Sequence, residues 1–176
     1  TGIGRGQEAK PYVHLNPAIA KWAAGKAAIG ISTSSFSLED AQTVARSGAD
    51  FVRLDMEHSP FNVDTIRMYL IGMTDKQNIL KRGNAVFPIA PVVRIPPYGR
   101  EHPDWAVKQA LDAGMMGIKF PTIDNKEEAL RAVKSMRYPA PRGSKYPQPA
   151  GLRGMGAGNA TWLWGVGGDE YNRRAD

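Results

Sequence analysis

Apolar residues gather in short runs along the chain, and each run is followed by a polar break and then a stretch whose apolar positions recur at helical spacing. Ala27 to Thr33 is the first run and predicts a buried strand. Ser37 then stands as an N-cap with Asp40 at the third helical position, Leu38, Ala41, Val44 and Ala45 form the stripe, and Gly48 is the stop. The grammar repeats with a strand over Ala49 to Met56 and a helix from Asn62 to about Leu70. A third round pairs a strand over Ile89 to Ile95 with a helix over Pro103 to Ala113, closed by Gly114. The fourth runs from a strand over Gly117 to Ile123 into a helix over Asn125 to Met136, capped by Asp124 or Asn125, with Leu130 and Val133 on its inner stripe. Strands alternating with helices at this spacing imply parallel strands joined by right-handed crossovers, which open doubly wound sheets and (β/α) barrels both satisfy.

Beyond Tyr138 the alternation stops. Residues 139–160 form a long proline- and glycine-rich loop, "PAPRGSKYPQPAGLRGMGAGNA", of the length usual for functional or unstructured connections. Short helical pieces are predicted at Trp162 to Trp164 and Asp169 to Asp176. The 176 residues are long enough for one domain with a core of its own, and 42% hydrophobic content is globular.

Composition narrows the chemistry. The formal charge of +6 comes from 23 basic and 17 acidic residues scattered along the chain, which suits small anions at least as well as nucleic acid. Without cysteine, disulfides and thiolate zinc sites are excluded, and any metal has to be held by oxygen or imidazole. Runs such as Val86 to Val93 are broken by proline and far shorter than a bilayer span, and Thr1 to Lys10 lacks the apolar core of a signal peptide. The expectation is a soluble, cytoplasmic protein with no membrane and no nucleic-acid partner. The start on Thr1 in place of Met fits a processed terminus.

The densest chemistry is "RLDMEHSP". Alternation assigns Val52, Leu54 and Met56 to the helix-covered side of the second strand and Phe51, Arg53, Asp55 and Glu57 to the other, with His58 in the loop beyond. In parallel α/β folds sites are built at that carboxyl end. A structural alternative stands beside this: Asp55 capping a turn and Glu57 paired with Arg53 or another cation. "PVVRIPP" places Arg94 at the end of the third strand, where a guanidinium can pin a carboxylate or an enolate, or simply face solvent. Asp112 ends the third helix, against the helix dipole, so it needs a positive partner, which an imidazolium would satisfy, or else full solvation. "GMGAG" and "GIGRG" do not lie between a strand and a helix as a dinucleotide fingerprint must. His14 and His102 read as surface histidines, and Trp162 and Trp164 near Arg153 as packing residues more than as a stacking platform for nucleic acid.

Taken together, "FVRLDMEHSP", "PVVRIPP", "LDAGMMGIKFP", "RAVKSMRYP" and "GLRGMG" resemble the HpcH/HpaI aldolase family, metal-dependent class II aldolases of 4-hydroxy-2-oxo acids. The resemblance implies a (β/α)8 TIM barrel of the pyruvate/phosphoenolpyruvate-binding type, of which this chain is roughly the amino-terminal half, since a complete barrel takes ~250 residues. It implies a divalent Mg, Mn or Co ion as cofactor, and reversible cleavage to pyruvate or a related 2-oxo acid and an aldehyde. It also implies a homo-oligomer, hexamer or trimer, or the remaining part of the barrel as partner. By position, His58 resembles the catalytic base, Arg94 the residue that binds the oxo acid and stabilises its enolate, and Asp112 the acid that raises the basicity of the histidine. Asp55 and Glu57 fall beside the site, where they would organise metal-bound water. The family's metal-ligating Glu and Asp correspond to positions beyond 176, so no metal ligand is expected in this chain, and a non-catalytic half-barrel interaction module is the alternative reading. The stretch between Tyr138 and Gly151 is longer than the family's short turn.

Overall fold

The computed structural model describes residues 14–140, 142–144 and 146–174. The glycine-rich first ten residues, with "GIGRG", lie outside them. At the centre is a parallel sheet of four strands in the order β1 (Gly30–Thr33), β2 (Phe51–Asp55), β3 (Ala90–Arg94) and β4 (Gly117–Lys119). Each is shorter than the apolar run that announced it. In the last case Pro121 removes a ladder donor two residues past the strand's end.

The predicted helices follow these strands, one after each. They are α2 (Leu38–Ala45), α3 (Val63–Gly72), α6 (Asp104–Ala113) and α7 (Lys126–Met136). Side-chain oxygens of Ser37, Asn62 and Asn125 accept from Asp40, Thr65 and Glu128 amides, which starts α2, α3 and α7, and resolves the cap of α7 to Asn125. Gly114 closes α6 at φ 118°, a region that costs any side chain strain. Three further helices escaped the pattern: α1 (Pro17–Ala23), α4 (Lys76–Arg82) and α5 (Tyr98–Glu101). All span two turns or fewer, too short for periodicity to register, although Asn16 before Pro17, and Asp75 with Gly83, are start and stop signals. Past the long connection lie α8 (Gly158–Trp164) and α9 (Gly168–Arg174).

The core forms where the helices cover one side of the sheet. Val52, Leu54, Met56, Val93 and Ile95 are fully buried there against Ile66, Leu70, Val107 and Ala110, each such side chain contributing roughly 1.5–3 kcal/mol. One expectation fails: Leu130 and Val133 of α7 stand exposed, while Ala132 and Ser135 turn inward. α7 lies beside the outermost strand, and its contacts are made through the face that meets α6. α8 docks on α6 through Leu163 near Gly114, and Trp164 Nε1 donates to the Gly114 carbonyl at 2.9 Å. That buries Trp164 and removes it as a stacking platform, whereas Trp162 remains exposed.

α1 crosses the beginnings of the strands. Asn16 Nδ2 donates to the Met116 carbonyl at 3.0 Å, and Lys21 Nζ meets Asp50 Oδ1 at 2.6 Å. Asp50 also accepts from the Ile29 amide at 2.8 Å, and these contacts, Lys21 first, hold its carboxyl below the usual range.

Candidate functional site at the carboxyl ends of the strands

Parallel pairing sets Asp55 directly beside Arg94, the last residues of β2 and β3. On β2, residues 52 and 54 are buried and 51, 53 and 55 half-buried, so the charged set projects from the side that the helices leave open. Arg94 Nε donates to Asp55 Oδ1 at 2.9 Å, Nη2 closes a second bond to Asp55 Oδ2, and Nη1 lies 2.7 Å from Glu57 Oε2. A forked guanidinium thus holds two carboxylates at once, a geometry that an ammonium cannot copy. The Glu57 amide donates to Asp55 Oδ1 at 3.2 Å, which turns the chain out of the strand and toward His58. Beyond β2 the Met56 amide donates to the Arg94 carbonyl at 3.0 Å, which extends the register into the site.

These side chains are only 13–17% exposed, whereas His58 is 72% exposed, with Nε2 at 3.7 Å from Glu57 Oε2. The Arg94 hydrogen bonds are the largest cause that holds the Asp55 carboxyl below its ordinary value, against the opposing effect of burial. The same bonds raise Arg94 further above its ordinary value. The arrangement is a fixed carboxylate–guanidinium–carboxylate bridge with a solvent-facing imidazole at its edge.

Not every expected residue is brought here. The carboxylate of Asp112 is taken by Arg153, whose Nη2 lies 2.7 Å from Oδ1. The positive partner that its helix-end position demands is therefore a guanidinium and not the imidazole of His58. Asp112 precedes β4 at the edge where strands begin, while His58 follows β2 at the edge where they end. Arg153 is itself buried, with its guanidinium over the Tyr138 ring at 4.4 Å and bonded to Tyr171 Oη at 3.0 Å. Nothing in "GLRGMG" itself signals that pairing. The alternative that Glu57 pairs with Arg53 or another cation is met by the other cation: Arg94 holds Glu57, while Arg53 donates through Nε and Nη2 to Ser32 Oγ at 3.1 and 2.6 Å. The Asp55 turn cap of the same alternative is present as well.

A divalent ion does not fit the residues gathered here. Asp55 and Glu57 spend oxygens on Arg94, and among the described residues no group of three or more His, Asp or Glu side chains is placed to hold a metal.

The rim is built by the loops after β3 and β4. Tyr98 Oη donates to Asp104, which also meets Arg131 Nη2 at 2.8 Å. A β-carbon on Gly99 would lie 1.6 Å from the Thr122 carbonyl oxygen, so the two loops touch backbone to backbone. Thr122 itself sits at φ 56°, a strained conformation for a branched residue.

Parallel β/α units with a charged cluster at the strand ends are common to TIM barrels and doubly wound sheets, and the solved structures this chain resembles place it with the TIM-barrel type. The HpcH/HpaI aldolase/citrate lyase family model matches residues 29–150, and the chain belongs to that family. It is 34% identical over 138 residues to a 4-hydroxy-2-oxo-heptane-1,7-dioate aldolase of Escherichia coli, and 35% identical to one of Klebsiella pneumoniae. Each match covers 76% of this chain and 42% of the relative. Among solved structures, an HpcH/HpaI aldolase/citrate lyase family protein of Burkholderia cenocepacia superposes with a TM-score of 0.63 at 30% identity, covering 84% of this chain and 51% of that one. The chain therefore spans about two-fifths of the curated relatives that it matches, and about half of that structure.

Proposed function

We propose that this chain forms the amino-terminal part of a barrel that cleaves a 4-hydroxy-2-oxo acid to a 2-oxo acid and an aldehyde. The observation that carries the reading is the Asp55–Arg94–Glu57 bridge with His58 beside it, at the strand ends of a chain in the HpcH/HpaI family. Relatives named as aldolases of a 4-hydroxy-2-oxo dioate support the substrate class.

His58 takes the proton of the 4-hydroxyl. As the C3–C4 bond breaks, a carbonyl forms at C4, the aldehyde leaves, and the electron pair passes to C3 as the enolate of the 2-oxo acid. Arg94 retains N–H donors beyond the three contacts it makes, and these face the enolate oxygen and the carboxylate. Asp55 and Glu57 fix the guanidinium so that no reorganisation is needed when charge develops. Reprotonation at C3 completes the turnover. Family membership brings a divalent ion into the proposal, but no step here is assigned to it, because the described residues do not fit its coordination sphere.

The test is release of 2-oxo acid from a 4-hydroxy-2-oxo acid by the assembled enzyme. His58→Ala should lower kcat by about 100-fold or more while Kd for the 2-oxo acid stays near that of the wild type. Normal turnover in that variant overturns His58 as the base.

A further inference from the structure

Neighbouring residues of an extended chain point to opposite sides, so Glu57 and His58 would diverge if β2 continued through them. It does not continue. The Glu57 amide donates to Asp55 Oδ1, the chain bends through residues 57–59, and the two side chains come round to one side, with His58 Nε2 at 3.7 Å from Glu57 Oε2. That oxygen is also the one that Arg94 Nη1 meets at 2.7 Å. One atom therefore stands between the guanidinium that holds the enolate in the proposed reaction and the imidazole that takes the proton. The Glu57 side chain is mostly covered whereas His58 faces solvent, so the carboxylate is the anchored member of the pair and the imidazole the member it can orient. The other charged groups of this corner are Asp55, which feels the charge of His58, and Arg94, which is bound to both acids.

We propose that Glu57 is a positioning residue for the base as well as for Arg94: its Oε2 orients the His58 imidazole through Nε2 and stabilises the imidazolium that forms when the 4-hydroxyl gives up its proton. This deepens the aldolase reading and rests on it. A carboxylate beside Nε2 favours the tautomer with its proton there and leaves the lone pair of Nδ1 for the substrate. In the cleavage step the O–H bond of the 4-hydroxyl breaks, an N–H bond forms at Nδ1, and the oxygen's electron pair becomes the second bond of the aldehyde carbonyl. From that moment imidazolium and guanidinium share one oxygen, which loosens its hold on Nη1. Nη1 is then freer to donate to the enolate oxygen just as charge arrives there. Asp112, the other acid with a claim on this histidine, has its carboxylate held by Arg153 at the edge where the strands begin.

The test uses the assembled enzyme and Glu57→Gln, whose amide oxygen can still accept from Arg94 while the charge is gone. Losing a negative charge beside the imidazolium makes protonation harder, so the acidic limb of the kcat/KM profile should move to lower pH by about half a unit, a roughly threefold change. The titration of the His58 imidazole, followed by NMR and assigned from the signal lost in His58→Ala, should move the same way. Kd for the 2-oxo acid should stay within about threefold of the wild type, because Arg94 remains held. Glu57→Asp, which keeps the charge, should return the limb most of the way, and it supplies the comparison if Glu57→Gln fails to fold. A limb and an imidazole titration that Glu57→Gln leaves in place overturn the proposal, and a weaker Kd with an unmoved limb does the same, because Glu57 would then serve Arg94 alone. So does a limb that moves with Asp112→Asn and not with Glu57→Gln. Turnover that survives His58→Ala, with the imidazole titration still shifted by Glu57→Gln, would instead count against the aldolase reading alone.

Discussion

Arg94 turns its guanidinium sideways along the sheet, with two bonds to Asp55 and one to Glu57, so the side chain proposed to meet the substrate also orients its neighbours. Lysine at this position keeps the charge and loses the fork. Arg94→Lys should lower kcat/KM by about 100-fold, read from the rate of 2-oxo acid release, whereas recovery to within a few fold would mean that positive charge alone is enough. How far the residues were legible depended on how local the cause was. The division of β2 into a buried and an open set follows from alternation over neighbouring positions, and it holds. The Asp55–Arg94 bond spans 39 positions and exists only because β2 and β3 pair in one register, which composition cannot supply. Asp112 shows the same limit from the other side. Its need for a cation was legible from the helix dipole, but the cation lies 41 positions later in an irregular segment.

At the scale of elements, the loops after β3 and β4 set the rim through the contact at Gly99. Alanine there would drive its methyl group into the Thr122 carbonyl, a collision with backbone that no rotamer relieves. Gly99→Ala should destabilise the chain by about 3 kcal/mol, seen as a lower denaturation midpoint at unchanged slope. A midpoint equal to that of the wild type would show that the two loops separate freely. The caps and stripes that announced α2, α3 and α6 were readable because each helix has enough turns to repeat its pattern. α5 is a single turn held by its surroundings, with Tyr98 buried against Phe120, edge to face at 4.8 Å, so no local signal existed to read. The stripe of α7 misled for a related reason, since periodicity identifies an apolar side without saying what will cover it.

For the molecule as a whole, several carboxylates are tied to cations or amides strongly enough to keep their protons off below the ordinary value of 3.8. Asp50 is held by Lys21, Asp55 by Arg94, and Asp75 by the Asn78 amide and Arg46. A group with a depressed folded-state pKa contributes its full stabilisation above its unfolded value and loses it as pH falls through the folded one. Thermal stability should therefore be level through mildly acidic solution and drop below about pH 4, with Lys21→Met flattening part of that drop. A melting temperature independent of pH between 5 and 2 would show that these pairs contribute nothing. The architecture was readable at this scale in two steps: the strand-helix alternation leaves an open sheet and a barrel both possible, because both obey the same local grammar, and the family motifs decide for the barrel type. There remains the short helix α1, which ties Asn16 to the strand-leading Met116 and Lys21 to Asp50. Both contacts lie where strands begin, so α1 secures the end of the sheet opposite the one where His58 stands largely in solvent. On the proposed reading, a proton taken up at that imidazole has bulk water beside it.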